Sequence, residues 1–271
     1  MKKGFFYLII CLVVIPAMES CREQEILPSL EGSRLLHEVW DHEIRKVYDY
    51  NPRGWPVAVR SKYYYNRYTF NGQDQLIRLE FFTDPGMHSS YMPPDWQDRI
   101  EWVSPENTEC RRFFSYEYDR AGRLTTILTY SKWDGPFELT DHAALEYDQD
   151  GRIIRRNWFD TEGNQRGFTA YLYDQRGNLI EQVKYYSPDY LEPVEKIIYE
   201  FDNRKNPYRC FRQTGQPGYY TNPNNIIKEI QDVYDLSVPG KVEYHTETDN
   251  HYRYNPDGYP VMVNDAELVY D

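Results

Sequence analysis

Polar and apolar positions after residue 45 alternate with a period of two, the spacing of strands and not of helices. In "YEYDRAGRLT", from Tyr116, two aromatic residues flank Glu117, then Asp119 and Gly122 bracket a short polar segment before Leu124. Tyr116 and Tyr118 therefore share one face of a strand, and Glu117 points to the other. Asp at the first turn position accepts a hydrogen bond from the backbone two residues on. Gly three positions later takes the left-handed conformation that matches a three-residue loop to strand twist. The pattern predicts a β-hairpin. Further units begin at Tyr48, Tyr68, Leu145, Tyr171, Tyr199 and Tyr252, and from Gly122 the turn position recurs at Gly151, Gly177 and Lys205. That recurrence is internal repetition.

Two units depart from the plan. Lys205 stands where Gly is expected, and Asp74 does so in the unit from Tyr68, where Gly72 comes earlier and suggests a two-residue Asn71-Gly72 turn. Hairpins are expected at both. Residues 33–47 read equally well as a helix or a first strand, and 225–231 allow a short helix. The fold expected is all-β: an antiparallel meander of hairpins over 45–271, forming a broad, curled sheet or partly open barrel, with the tyrosine face inward. Residues 21–44 would precede it as a tether and first strand or short helix.

Two longer segments interrupt the repeats. Residues 83–107 carry Tyr91, Trp96 and Trp102, and residues 212–224 carry Tyr219 and Tyr220. Loops of this length often hold function. Their aromatics either plug the open ends of the sheet or, together with Trp55, form a ligand surface.

Composition sharpens the fold more than the function. The chain of 271 residues holds 27 tyrosines, so much of its core must come from rings that carry a hydroxyl needing a partner. A net charge of −12 argues against a nucleic-acid role, which needs clustered cations, and disfavours anionic membrane surfaces. The start, "MKKGFFYLIICLVVIPAMESC", has the basic, apolar and small-residue layout of an export signal over 1–20. Ser20 before Cys21 resembles a bacterial lipobox, which implies acylation of Cys21. Glu23 and Glu25 faintly resemble an acidic surface-export signal. The chain would then be tethered to the cell envelope, as an outer-membrane lipoprotein facing either the periplasm or the surface. Cys110 and Cys210 are left, either as a disulfide or as two small apolar side chains.

The run Tyr-x-Tyr-Asp-x-x-Gly-x-Leu resembles the YD repeats of Rhs and teneurin-type shells. "FDNRKNP" at Phe201 to Pro207, then Asn224-Asn225-Ile226, then the unit from Tyr252 to Pro260, resemble uncharacterised Bacteroidetes lipoproteins. A related family of unknown function is described as porin-like, which implies a curled antiparallel sheet. It does not imply a pore, because the alternate row holds Glu117, Glu146, Glu200 and Arg253, charges that are costly against lipid.

Catalytic and metal chemistry finds little support. His37 and His42 are five apart where the zincin helix needs four, and His245 and His251 lie far apart along a strand. "DQDG" at Asp148 is explained by a turn, without the later Glu of a calcium loop. No nucleophile elbow or phosphate-binding glycine loop is present. No cofactor or metal is expected. The first expectation is a non-enzymatic envelope lipoprotein serving as scaffold or interaction surface, partnered by the membrane through its lipid and by an envelope protein or glycan. The second is a binder of glycan or another small ligand through Trp55, Trp96, Trp102, Tyr219 and Tyr220, and the third a hydrolase without a recognisable motif.

Overall fold

The computed structural model describes residues 34–83, 102–189 and 192–271. Alternation becomes strand throughout: β1 (Leu35–Trp40), β2 (Glu43–Tyr50), β3 (Pro56–Ser61), β4 (Tyr64–Phe70) and β5 (Leu76–Thr83) form the first arc. The meander continues through β6 (Cys110–Tyr118), β7 (Leu124–Ser131), β8 (Glu138–Tyr147), β9 (Ile153–Phe159), β10 (Gln165–Tyr173) and β11 (Leu179–Tyr185). After β12 (Glu195–Lys205) comes a 3-10 helix, Pro207–Thr214, and then β13 (Asn224–Tyr234) and β14 (Val242–Asp249). The last three strands are β15 (Tyr252–Tyr254), β16 (Pro260–Val263) and β17 (Ala266–Tyr270).

All 17 strands belong to one antiparallel sheet. Neighbours in sequence are neighbours in space, and β17 returns to pair with β1, Leu35 opposite Tyr270. Arg34 and Asp271 form an ion pair at 2.6 Å beside that seam. The ladder of β14 is with β13 and that of β15 with β16, so the sheet curls without closing into a barrel. Only Asn250 and His251 separate those two end strands.

The turns follow the expected chemistry. Asp119 Oδ1 accepts the N–H groups of Ala121 at 3.0 Å and Arg123 at 2.9 Å, while Gly122, at φ 79°, donates to the Asp119 carbonyl at 2.9 Å. Asn51, Asp148 and Asp174 repeat this arrangement. So does Asp160, whose segment "NWFDTEG" lacks the tyrosine pair that marks the other units.

Three local expectations are corrected. Asn71 and Gly72 do not make a two-residue turn. Asp74 takes the left-handed position at φ 61°, which Asp tolerates better than most residues, and the standard reversal forms around Asn71. No hairpin forms at Lys205, because Asn206 caps the 3-10 helix through Tyr208 N and Pro207 opens it with its fixed φ. Residues 225–231 are not helical but lie within β13, where Ile226, Ile227 and Ile230 suit a strand paired along β12. Residues 33–47, left between helix and strand, contain β1 and most of β2.

Tyrosines hold adjacent hairpins together as well as filling space. The Tyr before the turn donates its hydroxyl to the first carbonyl of the return strand of the hairpin before: Tyr118 to Leu76 at 2.8 Å, Tyr147 to Leu124 at 2.6 Å, Tyr173 to Ile153 at 2.8 Å. Tyr50 does the same to Leu35, the first residue of β1, at 2.9 Å. Each buried hydroxyl thereby finds its partner. Glu117, Glu146, Glu200 and Arg253 are exposed on the opposite face.

Candidate functional site

The site is built where the repeat breaks. The chain from Asn206 to Asn224 leaves β12, crosses the turn end of the first arc and returns to β13. Side-chain amides fix its path. Asn206 Nδ2 donates to the carbonyls of Tyr219 at 2.8 Å and Asn222 at 2.9 Å. Gln213 accepts from Leu76 N and donates to the Asp74 carbonyl, both at 2.8 Å, so it grips the Asn71 turn. Asn222, fully buried, accepts from Leu179 N at 2.7 Å.

This excursion fills the inside of the first arc. Phe211 packs 5.9 Å from Tyr48 and 5.5 Å from Tyr68 between ring centroids, and Tyr220 lies 5.4 Å from Phe211. Gly215 ends the helix at φ 67°, where a Cβ would stand 2.7 Å from Leu124 Cδ2 and 2.8 Å from Ile127 Cδ1. Only glycine lets the backbone come that close. Below these rings sits Glu38, 3% exposed, which accepts hydrogen bonds from Tyr48 and, at 2.8 Å, Tyr208, and pairs with Lys46 at 2.9 Å. Burial and that carboxylate push both phenols well above their ordinary pKa. The void beside them, about 50 Å³, is bounded by Lys46, Tyr64, Asn66 and Tyr220.

Above the plug lies a hollow of about 580 Å³. Its wall is formed by the rings of Tyr118, Tyr147 and Tyr173 with Leu124 and Ile153, and its rim by the turns at Gly122, Gly151 and Gly177. Arg152, Arg176, Arg209 and Arg212 line it, and among the described residues its one carboxylate is Asp74. That carboxylate is held by Arg53 at 2.6 Å. Arg152 is held in turn by Asp148 at 2.7 Å and Asp150 at 2.9 Å.

Of the ligand-binding residues expected from the sequence, Tyr219 and Tyr220 come together, whereas Trp55 and Trp102 lie by opposite ends of β3. Trp55 lines the hollow but is 6% exposed; its ring stacks on Phe70 at 5.8 Å and lies under the Arg212 guanidinium at 5.2 Å, so it positions the arginine. Tyr219 and Tyr220 pack on the plug rings, edge to face with each other at 5.4 Å. Trp102 is next to Val103, whose N–H reaches the Ser61 carbonyl at the far end of β3 from Trp55. Trp96 and Cys21 lie outside the described residues. Cys110 and Cys210 are both free thiols, and burial pushes that of Cys210 up to about 12. The arginines were missed because each sits in a different repeat or in the excursion. The available signal was a basic residue beside the turn glycine, as in Arg152 and Arg176.

No family model and no curated protein matches the chain. Solved structures similar to it include a porin-like protein from Bacteroides uniformis, at 10% identity and TM-score 0.39, covering 84% of this chain and 95% of that one. A Bacteroides fragilis protein of unknown function matches at 12% identity and TM-score 0.27, over 69% and 93% of the two chains. A chain of the Photorhabdus luminescens Tc holotoxin pore matches at 14% identity and TM-score 0.25, over 81% of this chain and 13% of that one. Likeness at this level carries no argument about activity.

Proposed function

We propose that this chain is a non-enzymatic cell-envelope lipoprotein, anchored by an acylated Cys21, whose repeat sheet is a scaffold presenting the hollow at its turn end as a binding surface. The observation that carries this reading is the hollow's construction. Its walls are tied by hydrogen bonds that Gln213 and Asn206 donate and Asn222 accepts, and its one carboxylate among the described residues is already tied up by Arg53. Such a lining suits binding and, among the described residues, supplies no acid and base pair to act on what is bound. The membrane is a partner through the lipid alone, and nucleic acid is not a partner.

A second reading, a small-ligand or glycan binder, is favoured by the hollow's size, which lies within the range of small-molecule sites. The two readings share one test. The mature chain is titrated with soluble envelope oligosaccharides, and the recovered ligand is checked by mass spectrometry. Saturable binding with the ligand returned intact supports the proposal, and a cleaved product overturns its non-enzymatic half. Radiolabelled fatty acid incorporated by the wild type and not by Cys21→Ala supports the anchor; equal labelling removes it.

A further inference from the structure

We infer that Arg156 seats a small carboxylate on the inner face of the sheet, one layer below the hollow and independent of it. Tyr118, Tyr147 and Tyr173 line the hollow; Tyr116, Leu145 and Tyr171 stand two residues further along the same strands, and none of these three lines it. Arg156 belongs to that lower layer, opposite Leu145 on β8 and Thr169 on β10. It is 6% exposed. Its Nε is sealed from solvent without a hydrogen-bond partner, and no described residue hydrogen-bonds to the guanidinium or forms an ion pair with it. The group lies over the Trp158 ring at 4.1 Å. A ring face offsets part of the cost of taking a cation out of water but supplies no opposite charge. Asp141 is the carboxylate whose field reaches Arg156, yet it stops short of an ion pair, and its oxygens accept from Thr129 Oγ1 at 2.7 Å and Thr140 Oγ1 at 3.2 Å. Burial therefore lowers the pKa of Arg156, against the pull of Tyr171, Tyr116 and Asp141.

A second donor shares this condition. Tyr116, 5% exposed, has a hydroxyl that donates to no described residue. Burial raises its phenol above the ordinary pKa and the Arg156 charge opposes the rise, as it does at Tyr171, so both phenols lie within the field of the guanidinium. Buried donors of this kind are normally served by an acceptor. Water would supply acceptor oxygens and leave the charge uncompensated; a carboxylate supplies both. With Nε sealed, the two terminal nitrogens remain, and their spacing matches the two oxygens of a carboxylate bound end-on. A single guanidinium balances one negative charge and Asp141 repels a second, which sets a carboxylate above a doubly charged phosphate. Leu145 and Thr169 flank the arginine on adjacent strands, so the body of the anion is small. Next along the same row come Lys184 and Glu195, half-buried on the wet side of the sheet, from which a small acid enters.

The experiment follows the melting temperature and tryptophan emission of the full mature chain as chloride is exchanged for formate, acetate or inorganic phosphate at constant ionic strength. Formate and acetate are expected to raise the melting temperature by several degrees along a saturating curve, and to shift the emission in a way that Trp158→Phe abolishes. Arg156→Met should melt above the wild type in chloride, because it removes a buried charge, and should lose the carboxylate response. Arg156→Lys keeps the charge without the fork and should weaken acetate several-fold. A wild-type response that fails to saturate, or that phosphate matches at equal concentration, overturns the inference before any variant is made. A carboxylate response that survives in Arg156→Met, or an emission shift that survives in Trp158→Phe, overturns the placement at Arg156. Melting of Arg156→Met below the wild type in chloride overturns the reading of the guanidinium as uncompensated. None of these results depends on what the hollow binds.

Discussion

The arc from β2 to β7 and the arc from β10 to β14 are written in the same repeat, yet their tyrosine faces end differently. In the first, the excursion lays Phe211, Tyr208 and Tyr220 against Tyr48, Tyr68 and Tyr116, and the rows become dry core. In the second, the same face carries Gln182, Glu195, Tyr199, Glu229 and Gln231, mostly half-buried, with Glu195 accepting from Gln231 at 2.6 Å. Burial, with the Glu195 charge second, raises the Glu229 carboxyl above its ordinary pKa. Strand β14 is exposed along nearly its whole length. A curled sheet of this width cannot fill its own interior with side chains. It becomes core only where another segment is placed inside it, and tyrosine serves both conditions because one ring can be packed or wet.

That contrast sets the size of mutational effects. Phe211→Ala should cost about 4 kcal/mol, while Val233→Ala in the open arc should cost about 1 kcal/mol. Equal losses by denaturant titration would show that the plug is not what stabilises the first arc. Gly215→Ala should cost about 2 kcal/mol, since the added methyl must displace Leu124 and Ile127 from a left-handed backbone position. A melting temperature equal to wild type would mean the excursion can lift away freely. Tyr118→Phe should cost about 1 kcal/mol for the lost bond to the Leu76 carbonyl. Its test is faster amide hydrogen exchange at the β5–β6 boundary.

The smallest effect is on pH dependence and differs between turns. Asp119, Asp148 and Asp174 sit below the usual carboxylate range. For Asp119 the N–H of Arg123 is the leading cause; for Asp148 and Asp174 desolvation opposes the shift but is outweighed by turn N–H groups and the Arg152 or Asn178 side chain. A depressed folded pKa means the stabilisation is full above the unfolded value, near 4, and is lost as pH falls through the folded one. The turns at Asn51 and Asn71 use an amide for the same bonds and lack that dependence. Between pH 6 and pH 2.5, β6 to β11 should therefore gain exchange before β2 to β5. The quadruple Asp→Asn variant at residues 119, 148, 160 and 174, all four of which make the carboxylate turn with a lowered pKa, should level the difference; an unchanged profile would place the acid sensitivity elsewhere.

Local chemistry explains which parts were legible in the sequence. Asp119 and Gly122 announce their turn because the bonds involved span only a few residues. Asp160 makes the same turn unannounced, since its neighbours Trp158 and Phe159 are adjacent and not alternating. The hairpin expected at Tyr199 failed at one position, where Lys205 cannot supply the left-handed backbone and Asn206-Pro207 starts a helix. The site itself was hidden for a different reason. Gln213 reaches Leu76 across 137 positions of sequence, and the hollow's arginines come from two repeat units and from the excursion. Trp55 looked like a ligand platform as a lone exposed-type aromatic, and only the packing of Phe70 and Arg212 shows its faces occupied.

The seam between β1 and β17 imposes an order on assembly. The earliest strand of the array finds one of its two neighbours, β2, at once, but must wait for the other until the rest of the repeats have emerged. Until then one flank of Leu35 to Trp40 offers unpaired peptide groups, and the Glu38 carboxylate lacks the phenol of Tyr208 that shields it. A chain made from its N-terminus therefore carries β1 half-paired until β17 is present to complete it.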